Sequence, residues 1–267
     1  MIRVESAGDL TFLRLARTLA GRPVYWTGAW LAGEVLIDCG PPATAHELLD
    51  ALEGRRIEAL VLTHHHEDHV GAAPLLAQRR GLAPLASAPA LPLLEHGFEQ
   101  QVYRRLTWGR PGRFQARALP AVLEVGRFRL RPVPTPGHSP DHVCFLDERR
   151  GFLFTGDLYL AEKLRFLRSD EDVSLLVASL EAAGRLGAER VLCAHRGEVE
   201  DGSAALLRKA DHLRSLRERI LDLLAQGLPE AEVTRRAVGR EGLLTWVSQG
   251  HFSARNFVRA VAARLTP

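Results

Sequence analysis

The chain is poor in cysteine, and no two of its cysteines are spaced as a redox or metal pair. Cys39, Cys144 and Cys193 are widely separated, and each lies in or beside an apolar, strand-like segment. An odd, scattered set argues against a disulfide framework and reads as buried, reduced thiols in a cytoplasmic protein. Long apolar runs are absent too. None approaches membrane-spanning length, so no membrane association is expected. Residues 1–6 hold no uninterrupted apolar stretch, and Arg14, Arg17 and Arg22 interrupt the next segment, so no secretory leader is expected either. There is no large excess of one charge. The net charge of +3 arises from 35 basic residues interleaved with 32 acidic ones, so the basic pI does not point to nucleic acid, and a small-molecule substrate is the expected partner. With 267 residues and 46% apolar content the chain can bury one large core, or a core with a smaller appendage.

What it does have is a dense cluster of imidazoles. Thr63-His64-His65-His66-Glu67-Asp68-His69 comes directly after the apolar run from Ile57 to Leu62, which reads as a buried strand, and precedes a helical pattern from Val70 to Gln78. The histidines therefore sit on a strand-to-helix loop. Neutral imidazoles with carboxylates suit zinc, with iron or manganese as substitutes.

Further strands are expected at Leu31–Asp38, Val122–Val125, Phe128–Val133, His142–Leu146, Gly151–Thr155 and Arg190–Ala194, with helices at Thr44–Leu52 (closed by Gly54) and Asp170–Leu186. The second helix is expected to carry three acids in its first turn. Several of the strands run into a donor: Ile37 into Asp38, Leu62-Thr63 into His64, Gly156 into Asp157 and Ala194 into His195. Two sheets meeting at one edge, with helices outside, would place these donors together. The stretch from Glu95 to Pro120 is irregular and carries Tyr103, Trp108, Phe114 and arginines 104, 105, 110, 113 and 117, as a pocket wall, a lid or an exposed excursion would. Beyond Asp201 the pattern becomes helical: one long amphipathic helix, a break at Gly227-Leu228-Pro229, then two further helices, the last capped by Ser253. Residues 1–200 are thus expected to form the metal-binding domain and residues 201–267 a helical module serving homo-oligomer formation or rimming the pocket. Its charges alternate, which disfavours a nucleic-acid reader.

The helical zinc motif H-E-x-x-H is absent. His64, His66, Asp68 and His69 instead form H-x-H-x-D-H, which resembles the signature of the metallo-β-lactamase superfamily. The rest of that pattern occurs in order along the chain: Thr135-Pro136-Gly137-His138-Ser139, Phe154-Thr155-Gly156-Asp157 and Cys193-Ala194-His195. The resemblance spans the first two-thirds of the chain. It implies an α+β fold, a four-layer αββα sandwich, holding two divalent metal ions. His64, His66 and His138 would hold one ion, Asp68, His69 and His195 the other, and Asp157 would bridge them. It also implies a metal-bound hydroxide as nucleophile, oriented by Asp68.

His65 and Glu67 should point away from the ions, exposed or behind the ligands. His142 and Asp38 are candidates to orient a ligand, with a strand-end histidine and a turn cap as the plainer readings. Tyr159 is a candidate donor to a substrate carbonyl oxygen, and Lys163 and Arg196 are candidate anion contacts. His46, His96, His212 and His251 fall outside every motif. Within the superfamily, a bridging aspartate disfavours the β-lactamases, and no glutathione-binding pattern is evident. The run Gly137-His138-Ser139-Pro140-Asp141-His142 is shared with a branch that cleaves single-stranded RNA. The leading expectation is a dinuclear hydrolase of an ester, thioester or lactone carbonyl. The alternatives are a phosphodiesterase or ribonuclease, and a mononuclear-iron persulfide dioxygenase.

Overall fold

In the computed structural model, which describes residues 1–263, two mixed sheets stack face to face between outer layers of helix. The first sheet is built from β1 (Ile2–Ala7), β2 (Leu10–Leu15), β5 (Thr27–Ala32), β6 (Val35–Ile37), β7 (Ala59–Val61), β8 (Pro84–Ala86) and β9 (Arg117–Ala118), in that spatial order. A small hairpin, β3 (Thr18–Leu19) with β4 (Arg22–Pro23), lies outside it. The second sheet orders β10 (Leu123–Val125), β11 (Phe128–Pro134), β12 (Val143–Asp147), β13 (Phe152–Gly156), β15 (Arg190–Cys193) and β16 (Gly197–Val199).

Side-chain alternation shows why these segments are strands. In β2, Leu10 and Phe12 enter the core between the sheets while Leu13 and Leu15 face the outer helices. In β12, Val143 and Phe145 point inward while Cys144 and Leu146 face the other outer layer. The period of two leaves both faces apolar, as a sheet covered on both sides requires. Trp30 on β5 and Phe154 on β13 meet edge to face across the interior, with centroids 6.2 Å apart. Helices α1 (Ala45–Ala51) and α3 (Ala73–Arg80) cover the first sheet through Leu48 and Leu76; α6 (Val173–Gly184), α7 (Gly202–Ala225) and α10 (Arg255–Ala262) cover the second through Leu176, Leu180, Leu206 and Phe257.

Several elements differ from expectation. The segment Leu31–Asp38 is a hairpin rather than one strand, turned at Gly33 with φ 57°. The helix after the histidines is two pieces, α2 (Glu67–Val70) and then α3, with Pro74 in its first turn. Helix α4 (Ala90–His96) ends just inside the irregular stretch, and α5 (Val102–Trp108) lies within it. The acids 170–172 precede α6 instead of entering it. Asp172 is the N-cap, its carboxylate accepting the Ser174 and Leu175 N–H groups, which ends the helix there and frees the other two acids for the site. Beyond α7 the described residues form three helices, not two: α8 (Glu230–Ala237), α9 (Leu243–Val247) and α10. Ala254 stands at the α10 cap, though the Ser253 hydroxyl still accepts the Arg255 N–H at 3.1 Å. A two-stranded ribbon pairs β14 (Leu167–Arg168) with β17 (Phe252–Ser253).

The parallel pairs bring the donors together. β6 and β7 run side by side, as do β13 and β15, so that Asp38, His64, Asp157 and His195 all lie just past carboxyl ends at one edge of the sandwich.

Candidate metal centre

Seven donors from four chain segments converge in three overlapping groups. His64, His66 and His138 form one, His64, His69 and Asp157 a second, and Asp68, His69 and His195 a third, the ligand atoms of each lying within 4.8 Å of one another. In the first, His64 Nε2 is 2.7 Å from His66 Nδ1, and His138 Nε2 is 3.1 Å from the same atom. Asp157 lies between the groups. Its Oδ2 is 3.3 Å from His138 Nε2, while its Oδ1 is 3.1 Å from His195 Nε2 and 3.2 Å from His69 Nε2. Asp68 Oδ2 is 3.5 Å from His195 Nε2 and 3.7 Å from His69 Nε2.

Outer partners decide which ring nitrogen is free. Asp38 Oδ2 accepts from His69 Nδ1 at 2.8 Å, Glu171 Oε1 from His138 Nδ1 at 2.7 Å, and the Trp26 carbonyl from His195 Nδ1 at 2.9 Å. The Thr63 hydroxyl donates to Asp38 Oδ2 and accepts from His64 Nδ1 at 3.0 Å. In its neutral form each of these four rings would keep its proton on the outer Nδ1, which turns the Nε2 lone pair inward toward a bound cation. Gly156 lets the strands close on the site. With φ 47°, a Cβ there would lie 2.8 Å from both His142 Nε2 and the Thr63 hydroxyl. His142 Nδ1 bonds the Thr135 hydroxyl and its Nε2 accepts the Asp157 N–H at 3.2 Å, so this histidine positions the bridging residue.

The electrostatics match a cation cradle. Burial, reinforced by His69 and His138, keeps the His64 pKa well below the ordinary range; burial with Arg168 and Arg104 does the same for His66. Burial opposes charge on His69, but Asp157, Asp68 and Asp38 outweigh it and raise its pKa well above the usual value. Burial likewise opposes ionisation of Asp157, yet His195 and His69 hold it well below the usual carboxylate range. Among the described residues, His69 Nε2 and Asp157 Oδ1 are buried without a hydrogen-bond partner. Unpaired buried polar atoms are costly, and a cation bound between them would satisfy both. The residues present therefore fit a divalent metal.

Other predicted residues are placed around this centre. His65 turns away and pairs with Asp141 at 2.8 Å. Glu67 is fully buried rather than exposed and accepts Arg104 Nε at 2.6 Å, which ties α5 to α2. Tyr159 packs its ring under α7, with Lys209 Nζ 5.8 Å from its centroid; Lys163 is exposed; Arg196 donates to the Leu160 carbonyl at 2.8 Å. None of these contacts reaches a donor. Residues with no motif of their own stand closer. Tyr25 packs against His195 with centroids 5.5 Å apart, and desolvation, with Asp157 and Asp68, pushes its hydroxyl up to about 12. Arg168 reaches His66 and His138, and His251, expected to have no role, bonds the Tyr103 hydroxyl at 2.7 Å and lies 3.5 Å from Asp170. Part of the irregular stretch from Glu95 to Pro120 lines a cavity of about 570 Å³, with Phe98, Gln101, Arg105, Arg113 and Phe114 on its walls. Its lining holds none of the seven donors, but the Phe98 ring lies 4.8 Å from that of His65.

A buried histidine and aspartate cradle at the joint edge of an αββα sandwich defines the class of fold and a site that could hold metal. The chain belongs to the metallo-beta-lactamase superfamily, whose profile matches residues 32–195. It is similar to the lactamase-like protein nscB of Aspergillus fumigatus, at 29% identity over 242 residues, covering 86% of the chain and 66% of that relative. It is also similar to a hydroxyacylglutathione hydrolase of Thiobacillus denitrificans, at 34% identity over 163 residues, covering 60% of the chain and 56% of the relative. The chain thus spans about two-thirds or less of these relatives' own lengths. Among solved structures, a metallo-beta-lactamase family protein from Thermus thermophilus aligns with a TM-score of 0.65 at 21% identity, covering 97% of the chain and 93% of that structure. A beta-lactamase domain protein from Burkholderia ambifaria aligns with a TM-score of 0.68 at 18% identity, covering 97% and 85%. These structural likenesses establish the fold. No helix among the described residues is long and apolar enough to cross a membrane.

Proposed function

We propose that the chain is a dinuclear metal-dependent hydrolase acting on an ester, thioester or lactone carbonyl of a small molecule, with zinc as the ion its donors favour. The observation that carries this reading is the position of Asp157, one oxygen facing His138 and the other facing His69 and His195. His64, His66 and His138 would hold one ion, and Asp68, His69 and His195 the other. Two ions held there would polarise a carbonyl oxygen and lower the pKa of a bound water from about 16 to roughly 7. Asp68, beside His195 and His69, orients the attacking water. Asp38 and Glu171 keep His69 and His138 in the tautomer that presents Nε2 inward. Tyr25 stands beside His195 as a neutral hydroxyl, able to donate to a substrate oxygen. The hydroxyacylglutathione hydrolase among the relatives supports carbonyl hydrolysis. Residues 1–200 carry all seven donors, and the segment after them supplies β17, which pairs with β14 beside the site.

The test combines metal analysis with a panel of ester, thioester and lactone substrates. About two zinc ions per chain with turnover of one class, abolished in a folded Asp68→Ala variant, is the expected result. A fully active, metal-replete Asp68→Ala protein would sink the assignment. One iron per chain with oxygen consumption would replace it with persulfide oxidation, and salt-sensitive RNA cleavage would replace it with a nuclease.

A further inference from the structure

Arg168 belongs to no donor motif, yet its guanidinium lies against the first triad. The residue is only 4% exposed. Nε and Nη2 grip Asp170 at 2.9 and 3.1 Å, Nη2 also donates to the His138 carbonyl at 3.0 Å, and the Arg168 N–H is held by Glu171 Oε2 at 2.9 Å. Its strand is paired with β17, where Arg168 opposes Phe252. The side chain is therefore fixed, and the rest of its fork points inward. Nη1 is 3.2 Å from His66 Nδ1 and 3.4 Å from His138 Nε2, while Nη2 is 3.0 Å from His66 Nε2.

His66 Nδ1 and His138 Nε2 are the atoms that converge with His64 Nε2 on the first ion's place. A lone pair cannot serve a guanidinium N–H and a metal ion together. When His66 Nδ1 becomes a ligand, its neutral ring carries the proton on Nε2, which sets an N–H against Nη2. The guanidinium is also permanently charged and repels a divalent cation beside it. All three effects fall on the first triad. Among the described residues, no arginine is hydrogen-bonded to the side chains of Asp68, His69 or His195.

We infer that Arg168 is a resident cation of the first triad that weakens its metal and couples metal binding to an anionic oxygen ligand of the carboxylate class. An anion between ion and guanidinium neutralises both and accepts the N–H groups that ligation displaces. Carbonyl hydrolysis makes such an anion, because the acyl group leaves as a carboxylate. The inference rests on the two-ion reading above.

The test is zinc titration of the metal-free chain against a chelator of known affinity, with acetate as the anionic probe. The wild type should take one ion tightly and a second at least about tenfold more weakly. His66→Ala should lose the weak ion alone. Arg168→Gln should tighten the weak ion about tenfold and leave the tight one unchanged, whereas Arg168→Lys, which keeps the charge, should leave it weak. Acetate should tighten the weak ion in the wild type and not in Arg168→Gln. Circular dichroism checks folding, and Arg168→Met stands in if the glutamine variant fails to fold. Two equal sites in the wild type, or an Arg168→Gln protein that binds both ions as the wild type does, would overturn the role of Arg168 while leaving the dinuclear centre intact. If no variant takes a second ion at any concentration, both readings fall.

Discussion

Asp38 adopts φ 59°, a left-handed conformation that costs a non-glycine residue on the order of 1 kcal/mol. The same turn aims its carboxylate at the Thr63 N–H, the Thr63 hydroxyl and His69 Nδ1, each at 2.8 Å. Asp38→Ala should therefore keep the fold but lower metal affinity about 10- to 100-fold in a chelator titration; unchanged affinity would show that His69 needs no such support. Lys209 offers a separate residue-scale test. It lies on the buried face of α7 with Nζ bonded to the Leu158 carbonyl at 2.8 Å, and burial lowers its pKa to about 8. The folded pKa is below the unfolded one, so the unfolded chain binds the extra proton between about pH 8 and pH 10.5. Lys209 thus penalises folding by on the order of 3 kcal/mol below that window, and the penalty disappears as pH rises through it. Thermal melts should show the stability difference between wild type and Lys209→Met moving toward the wild type over that range; a pH-independent difference would refute the shift. The donors were legible in the sequence because each sits at a fixed spacing from a strand end. Arg168, Glu171 and Tyr25 were not, since their partners lie far along the chain and only the tertiary fold brings them to the histidines.

Helix α5 was hidden in an irregular pattern because it does not stand on its own periodicity. It is seven residues long, shorter than an isolated helix needs, and it is anchored by Arg104 to the buried Glu67 inside the histidine motif, with Trp108 5.7 Å from the same guanidinium. Removing one partner of a buried pair leaves an uncompensated charge. Glu67→Gln or Arg104→Met should each destabilise the protein by about 3–5 kcal/mol in chemical denaturation, whereas the double variant Glu67→Gln with Arg104→Met should cost much less than their sum. Additive losses would show that the two do not act as a pair. The acids before α6 behave in a related way. Sequence places all three in a first helical turn, but Asp172 caps the helix, Glu171 turns to His138 and Asp170 to Arg168. Their number favours a helix start, while their separate duties depend on β14 lying nearby.

For the molecule as a whole, the four layers were legible from alternating strands and donor-bearing strand ends, while the two N-terminal strands went unseen. β1 is largely exposed and mixed in composition, with Arg3, Glu5 and Ser6, and it is held by its full antiparallel register against β2 rather than by an apolar face. Metal binding should stabilise this architecture, because the cradle gathers donors from four separate segments and the unfolded chain does not. An ion at 100 times its dissociation constant adds about 2.7 kcal/mol, so chelation should lower the melting temperature and zinc should restore it. An unchanged melt would mean that the cradle binds no metal in solution.

The pairing of β14 with β17 also bears on how the molecule comes into being. Leu167 meets Ser253 and Arg168 meets Phe252 across a long stretch of intervening chain, a contact of high sequence separation whose loop-closure cost is met late. During synthesis, every metal donor has left the ribosome well before Phe252, so a nascent chain can gather its histidines while Arg168 still lacks its partner strand. Gathering of the donors and pairing of β14 with β17, which fixes the backbone of Arg168, are therefore separable in time.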